Sequence, residues 1–245
     1  MSSTEKYPAH HGRANKYDST YFEIVVSHYK IAKELLTKIK TNGFLRSDGA
    51  LRDSLEKEEM IIIVFAAMTI EAFFNDYAAA CLGDDEFYDN FDKLSIISKF
   101  QLIVKFILKI DVDKSQAYYC YLNELVKNRN NIIHTKSIKC SFQGYTKEEI
   151  EKFDESDYWD DFLLDDKLTS EEKKEIENNF QRVVNAIKAV REIARFFDLH
   201  DENVLAELQF FKNNNLTLLM YEDEVLECLK LIHKDFNIKV RTILR

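Results

Sequence analysis

Proline is the scarcest of the common residues in this chain, and its absence constrains the fold most. After Pro8 none occurs up to Arg245, and the 245 residues hold five glycines. Average usage would give roughly 12 prolines and roughly 17 glycines in a chain of this length. Sandwiches and barrels draw their frequent turns from these two residues, so both architectures are excluded. Phosphate-cradling loops go with them, since no GxGxxG or GxxxxGK is present. What remains is an all-α chain, long helices joined by short polar connections. A 46% share of hydrophobic residues is enough for a sizeable core.

The net charge of −9 argues against a general nucleic-acid coat or a polybasic membrane binder, so any RNA site must be local. Cys81, Cys120, Cys140 and Cys228 form no CxxC and have no zinc-type spacing to histidine. They read as reduced thiols of a cytoplasmic protein, with no metal and no cofactor expected. Residues 1–17 are polar, lack the apolar centre of a signal peptide, and read as a flexible tail. The longest apolar run, residues 60–70 (MIIIVFAAMTI), is too short for a membrane span of about 20 residues and reads as a core helix.

Apolar spacing predicts helices over about 20–41, 54–82, 94–110 and 115–134. Thr20 and Glu23 have capping-box spacing, and Gly83 stops the second helix. The short connection at 111–114 makes the third and fourth helices antiparallel neighbours. A long helix resumes at Thr169 with a second box to Glu172. Its seam of Ile176, Phe180, Val183, Ile187, Val190, Ala194 and Phe197 repeats at alternating four- and three-residue steps, so it must lie lengthwise against another helix, in this chain or a second copy. A shorter helix is expected from Asp201 to about Lys212. Residues 221–236 look helical, while 216–220 and 238–244 have the pattern of short strands. The domain reading is a tail at 1–17, a helical bundle at 18–198 and a C-terminal extension at 199–245.

An insertion at 137–168 interrupts the bundle. Its residues 147–166 hold ten acidic side chains against Lys147 and Lys152, with Trp159 and several other aromatic and aliphatic residues interleaved. This is either a solvated segment docked by its aromatics, or an acidic flap over a basic site. EF-hand spacing is absent.

One short stretch carries chemistry. Residues 122–136 (LNELVKNRNNIIHTK) place His134 five positions after Arg129. They bring a permanent cation close to the one side chain that exchanges protons near neutral pH. The same spacing suits an ordinary helix end, with Arg129 solvated and His134 at the negative pole of the helix dipole. From residue 105 to 139 seven basic side chains face three acidic ones, a local +4.

The Arg-Asn-Asn-Ile-Ile-His stretch ends an amphipathic helix. That helix follows a Lys-containing helix and, before it, a long apolar one carrying residues 69–77 (TIEAFFNDY). This order resembles the HEPN superfamily, the higher-eukaryote and prokaryote nucleotide-binding domains, over about residues 20–136 and on to 198 if the heptad helix completes the bundle. The resemblance implies an antiparallel helical bundle with Arg129 and His134 as the catalytic pair and Asn130 in the polar position after the arginine. It further implies metal-independent RNA cleavage by a homodimer, in growth arrest or anti-phage defence. A toxin of this type can carry a modifiable tyrosine two places after the histidine; Lys136 stands there, which puts that control in doubt.

Around the pair, Lys127, Lys136 and Lys139 are candidate RNA contacts. Glu71, with Asn75 one turn on, follows the apolar run and needs a partner. It reads either as a structural hydrogen bond or as support for Arg129 and His134. Tyr118, Tyr119 and Tyr121 read as packing residues or base-stacking platforms, and His28 as structural. Residues five apart on a helix differ by about 140° in direction, so two copies are expected to complete each other's site. The competing reading is a non-catalytic helical module that binds a nucleotide or a regulatory protein partner. The net acidity favours that alternative.

Overall fold

The apolar run at residues 60–70 has no polar stripe of its own, so a helix built on it must be covered on several sides. In the computed structural model, which describes residues 17–134, 166–200, 211–212, 215–218 and 223–242, it is the middle of helix α2, Gly49–Leu82. Ile62, Ile63, Ala66, Ala67 and Ile70 are buried there against α1, Asp18–Thr41, and α6, Ser170–His200. Among the described residues one helical stretch, Arg46–Leu82, is long and apolar enough to cross a membrane, and half of its most apolar window is buried inside the protein.

The reversal between α1 and α2 is made by Gly43 (φ 84°) and Phe44 (φ 62°), both in the left-handed region that costs a side-chain-bearing residue strain. α2 therefore starts at Gly49, earlier than the expected residue 54. It ends at Gly83 (φ 93°), the stop the sequence predicts. α1 and α2 run in opposite directions, since Tyr21 meets Phe65 and His28 bonds Glu58. The Thr20–Glu23 box is not used: α1 begins two residues earlier, after Tyr17, without a side-chain cap.

The helix expected over 94–110 is divided. A short α3, Asp84–Asn90, precedes α4, Ile96–Leu102. α4 then widens into a π turn at Ile103–Ile107, where the Leu108 N–H reaches Ile103 O (3.0 Å), and Lys109 turns left-handed (φ 58°). Helical spacing survives in the sequence because Val104 and Ile107 still pack on the core. α5, Ala117–Ile133, follows and lies against α6 in the opposite sense, the Tyr118 ring meeting Phe196 at a tilt and Glu124 accepting from Asn185 Nδ2 (2.9 Å).

The Thr169–Glu172 box forms in full. Thr169 N–H donates to Glu172 Oε2 (2.7 Å) and Glu172 N–H to Thr169 Oγ1 (3.2 Å). The heptad seam of α6 packs within this chain, between α2 and α5. Its start is fixed to the α1–α2 connection by a bridge between Leu45 and Lys167, by Asp166 accepting from Ser47, and by Arg46 reaching Glu172 with both guanidinium nitrogens (3.3 and 3.2 Å).

Helices dominate, as the composition requires, and the C-terminal segment adds one small sheet. β1 (Phe211–Lys212) pairs antiparallel with β2 (Asn215–Leu218), which pairs parallel with β3 (Lys239–Thr242) from Asn215↔Lys239 to Leu218↔Thr242. A parallel pair needs a crossover, and α7, Asp223–Phe236, supplies it. Residues 211–212 are thus strand where the sequence suggested the end of a helix. α7 docks on α1, with Phe236 edge-on to Tyr29 and the Tyr29 hydroxyl donating to Asp235 (2.9 Å). The tail at 1–16, Cys140, and the acidic segment apart from Asp166 lie outside the described residues.

Candidate functional site

Helix α5 has apolar positions on one side only, Leu122 and Leu125 being buried, and its polar residues collect toward its C-terminal end. The last turn is closed by His134, whose N–H donates to Asn130 O (2.9 Å) while its backbone leaves the helix (φ −109°, ψ 33°). The imidazole is exposed. Arg129 is half-buried, its Nη1 donates to Asn130 Oδ1 (3.0 Å), and its Nε is buried without an acceptor. Among the described residues no carboxylate lies within ion-pair distance of Arg129, whereas Arg46, Arg191 and Arg195 are each held by a glutamate. An unpaired buried donor costs about 1–3 kcal/mol, so a native one calls for an explanation such as strain, a catalytic role or a bound water or ion. Within one chain Arg129 bonds Asn130, and no contact joins it to His134 among the described residues.

Two expected supporting residues are not in this group. Glu71 pairs with Lys99 Nζ (3.1 Å), and Lys99 is buried. That pair lies beside the Phe74–Phe100–Tyr118 ring contacts, at the opposite end of α5 from His134. Tyr118 and Arg129 are separated by three helical turns, on the order of 16 Å. Of the two readings of Glu71, the structural one describes its contacts. Asn75 belongs to the same helix one turn on, and its Oδ1 is buried without a hydrogen bond. Lys99 could have been noticed as a lysine inside an apolar run, where a charge must find a partner.

Among the described residues the basic side chains of the +4 stretch do not form one patch. Lys105 pairs with Asp111, Lys114 sits over the Tyr119 ring, and Lys109 lies on the left-handed turn, all at or before the start of α5. Lys127 is exposed near Arg129 in the sequence, and Lys136 and Lys139 lie outside the described residues. Charge summed along a chain ignores that a 17-residue helix separates its ends by about 25 Å. Tyr118 belongs to an aromatic cluster, and Tyr119 accepts from Gln101 Nε2 (3.2 Å). His28 pairs with Glu58 across α1 and α2.

A further buried polar residue, besides Lys99, escaped the sequence reading. Glu59 lies among the core positions Leu55, Ile62 and Ala66 of α2 and is 6% exposed. Burial, reinforced by the charge of Glu56 and opposed by Arg182, pushes its carboxyl up to about 7. Helical spacing was the available signal, because Glu59 falls on the stripe that Leu55 and Ile62 define. No group of three or more histidine, cysteine or carboxylate donors is arranged to hold a metal ion among the described residues.

Compared with known proteins, the chain matches no family model, no curated protein and no solved structure.

Proposed function

We propose that this chain is a metal-independent endoribonuclease of HEPN type, an antiparallel helical bundle that acts as a cytoplasmic homodimer in growth arrest or anti-phage defence. The observation that carries the reading is the end of α5. There a half-buried arginine is oriented by Asn130, left without a carboxylate partner, and followed one turn later by an exposed histidine.

These groups suffice for transesterification. A neutral imidazole of His134 accepts the proton of a ribose 2′-hydroxyl, and the oxygen attacks the adjacent phosphorus. The 5′-oxygen leaves with a proton from the imidazolium of the second copy's His134. The products are a 2′,3′-cyclic phosphate and a 5′-hydroxyl. Arg129 binds the phosphorane charge through two guanidinium N–H groups, for which its lack of a carboxylate leaves it available. The direction offset of Arg129 and His134 supports a cleft completed by two copies. Lys127, Lys136 and Lys139 would hold flanking phosphates.

The test is incubation of purified protein with mixed RNA in EDTA. Cleavage to cyclic-phosphate ends, none of single-stranded DNA, and loss of cleavage in folded His134→Ala support the reading. Wild-type cleavage by folded His134→Ala would sink it. RNA binding without cleavage would favour the non-catalytic module instead.

A further inference from the structure

The buried carboxylate of Glu59 has no work in the chemistry above. Its Oε1 is buried and has no hydrogen-bond partner. It lines a cavity of about 390 Å³ between the first halves of α2 and α6. Two further groups of residues line the cavity. Asp53, Glu56 and Glu175 are exposed at its mouth, and Leu55 and Ile176 give it apolar walls. Glu172 also lines it but is engaged by Arg46 and by its own helix cap. Arg52 is the one cation of the lining, and its Nη2 donates to the Arg46 carbonyl (3.1 Å).

Among the described residues, no cation lies within ion-pair distance of Asp53, Glu56, Glu59 or Glu175. The fold gives these carboxylates no ion pair, with Arg182 acting on Glu59 only at longer range, in a space many times the roughly 30 Å³ share of one water. The absence of a three-donor cluster disfavours a metal ion as the compensating charge. Carboxylates at the floor and the mouth, with apolar walls between, match a chain of methylenes that carries an ammonium at each end.

We propose that this cavity binds a linear alkyl polyamine, with one primary ammonium on Glu59 at the floor and a second on the carboxylates at the mouth. The methylenes between them pack on Leu55 and Ile176. This site is separate from the nuclease reading, and its test contains no RNA.

Titration calorimetry with spermidine at pH 8 should give saturable one-to-one binding and a raised Tm. Glu59→Gln keeps the shape and should weaken binding by roughly 10- to 100-fold, the loss expected for one charge-assisted hydrogen bond. Butylamine, with a single ammonium, should bind more weakly than spermidine. At pH 6, where Glu59 is protonated, affinity should fall. The other groups facing it are Arg52, Asp53 and Glu56 on α2, with Glu172, Glu175 and Arg182 on α6. Should Glu59→Gln not fold, Asn179→Phe fills the cavity and should abolish binding. Absence of heat and of a Tm shift in wild type overturns the proposal. So does equal binding by wild type and both variants, or displacement by magnesium at equal charge, which would mark surface counter-ion binding.

Discussion

The two ends of α5 are built from opposite materials. At its start the Tyr118 ring packs at a tilt against Phe196 (4.4 Å) and Phe100 (5.8 Å), in a cluster that continues through Phe74, Phe197, Phe73 and Tyr77. Each such pair contributes about 0.5–1.5 kcal/mol beyond its buried area. Lys99, buried nearby, is neutralised by Glu71. At the other end Arg129 has an unsatisfied nitrogen and His134 is exposed; elsewhere, between α2 and α6, Glu59 Oε1 is likewise buried without a hydrogen bond. The first end is held in register by ring packing, with Asn75 Oδ1 on α2 as a buried polar atom left without a hydrogen bond. The second keeps polar groups unsatisfied, which a folded protein sustains only because stability comes from elsewhere.

This contrast can be broken from either side. The largest effect is expected at the polar end. His134→Ala and Arg129→Ala should each reduce RNA cleavage by about 10²- to 10⁴-fold. Their unfolding free energies should stay within about 0.5 kcal/mol of wild type, because neither site is in the core. Denaturant titration beside a cyclic-phosphate assay checks both halves.

Phe197→Ala inverts the pattern. Phe197 is fully buried against Phe73, Phe74, Tyr77 and Phe196, and its truncation should cost about 3–5 kcal/mol in urea unfolding. The folded fraction of that variant should still cleave RNA at close to the wild-type rate. A loss of specific activity would show that the two ends are coupled.

Glu59 sharpens the comparison through pH. Its carboxyl titrates near 7 in the folded protein and near the ordinary 4.5 when unfolded. Across that window the unfolded chain releases a proton that the folded protein keeps, so stability falls as pH rises. Glu59→Gln should therefore be more stable than wild type by about 1–3 kcal/mol at pH 8 and indistinguishable near pH 4.5. Thermal melts at the two pH values measure it. The smallest effect belongs to the capping box: Thr169→Ala should cost about 1 kcal/mol without changing cleavage.

Much of this architecture was legible one helix at a time. The Thr169–Glu172 cap, the stop at Gly83 and the α6 seam are local, each depending on residues within a turn or two. A linear sequence displays such relations directly. Less was legible where a local pattern admits two backbones. The apolar spacing over 94–110 suits an α-helix and a π turn alike, and the packing of Phe100 and Val104 on the bundle selects the observed break. The Thr20–Glu23 box lost to a start two residues earlier, where Asp18 is buried.

The sequence by itself determined that the chain is helical, where α2 and α6 must be covered, and which short stretch brings an arginine and a histidine together with an asparagine. The tertiary structure alone decided who meets whom across helices. It gave Glu71 to Lys99 rather than to Arg129, set Lys105, Lys109 and Lys114 a helix length away from Arg129, and enclosed Glu59 behind α6. The physical reason is distance: helical spacing sets the direction of a side chain within its own helix, while its partner and its dielectric surroundings depend on contacts tens or hundreds of residues away.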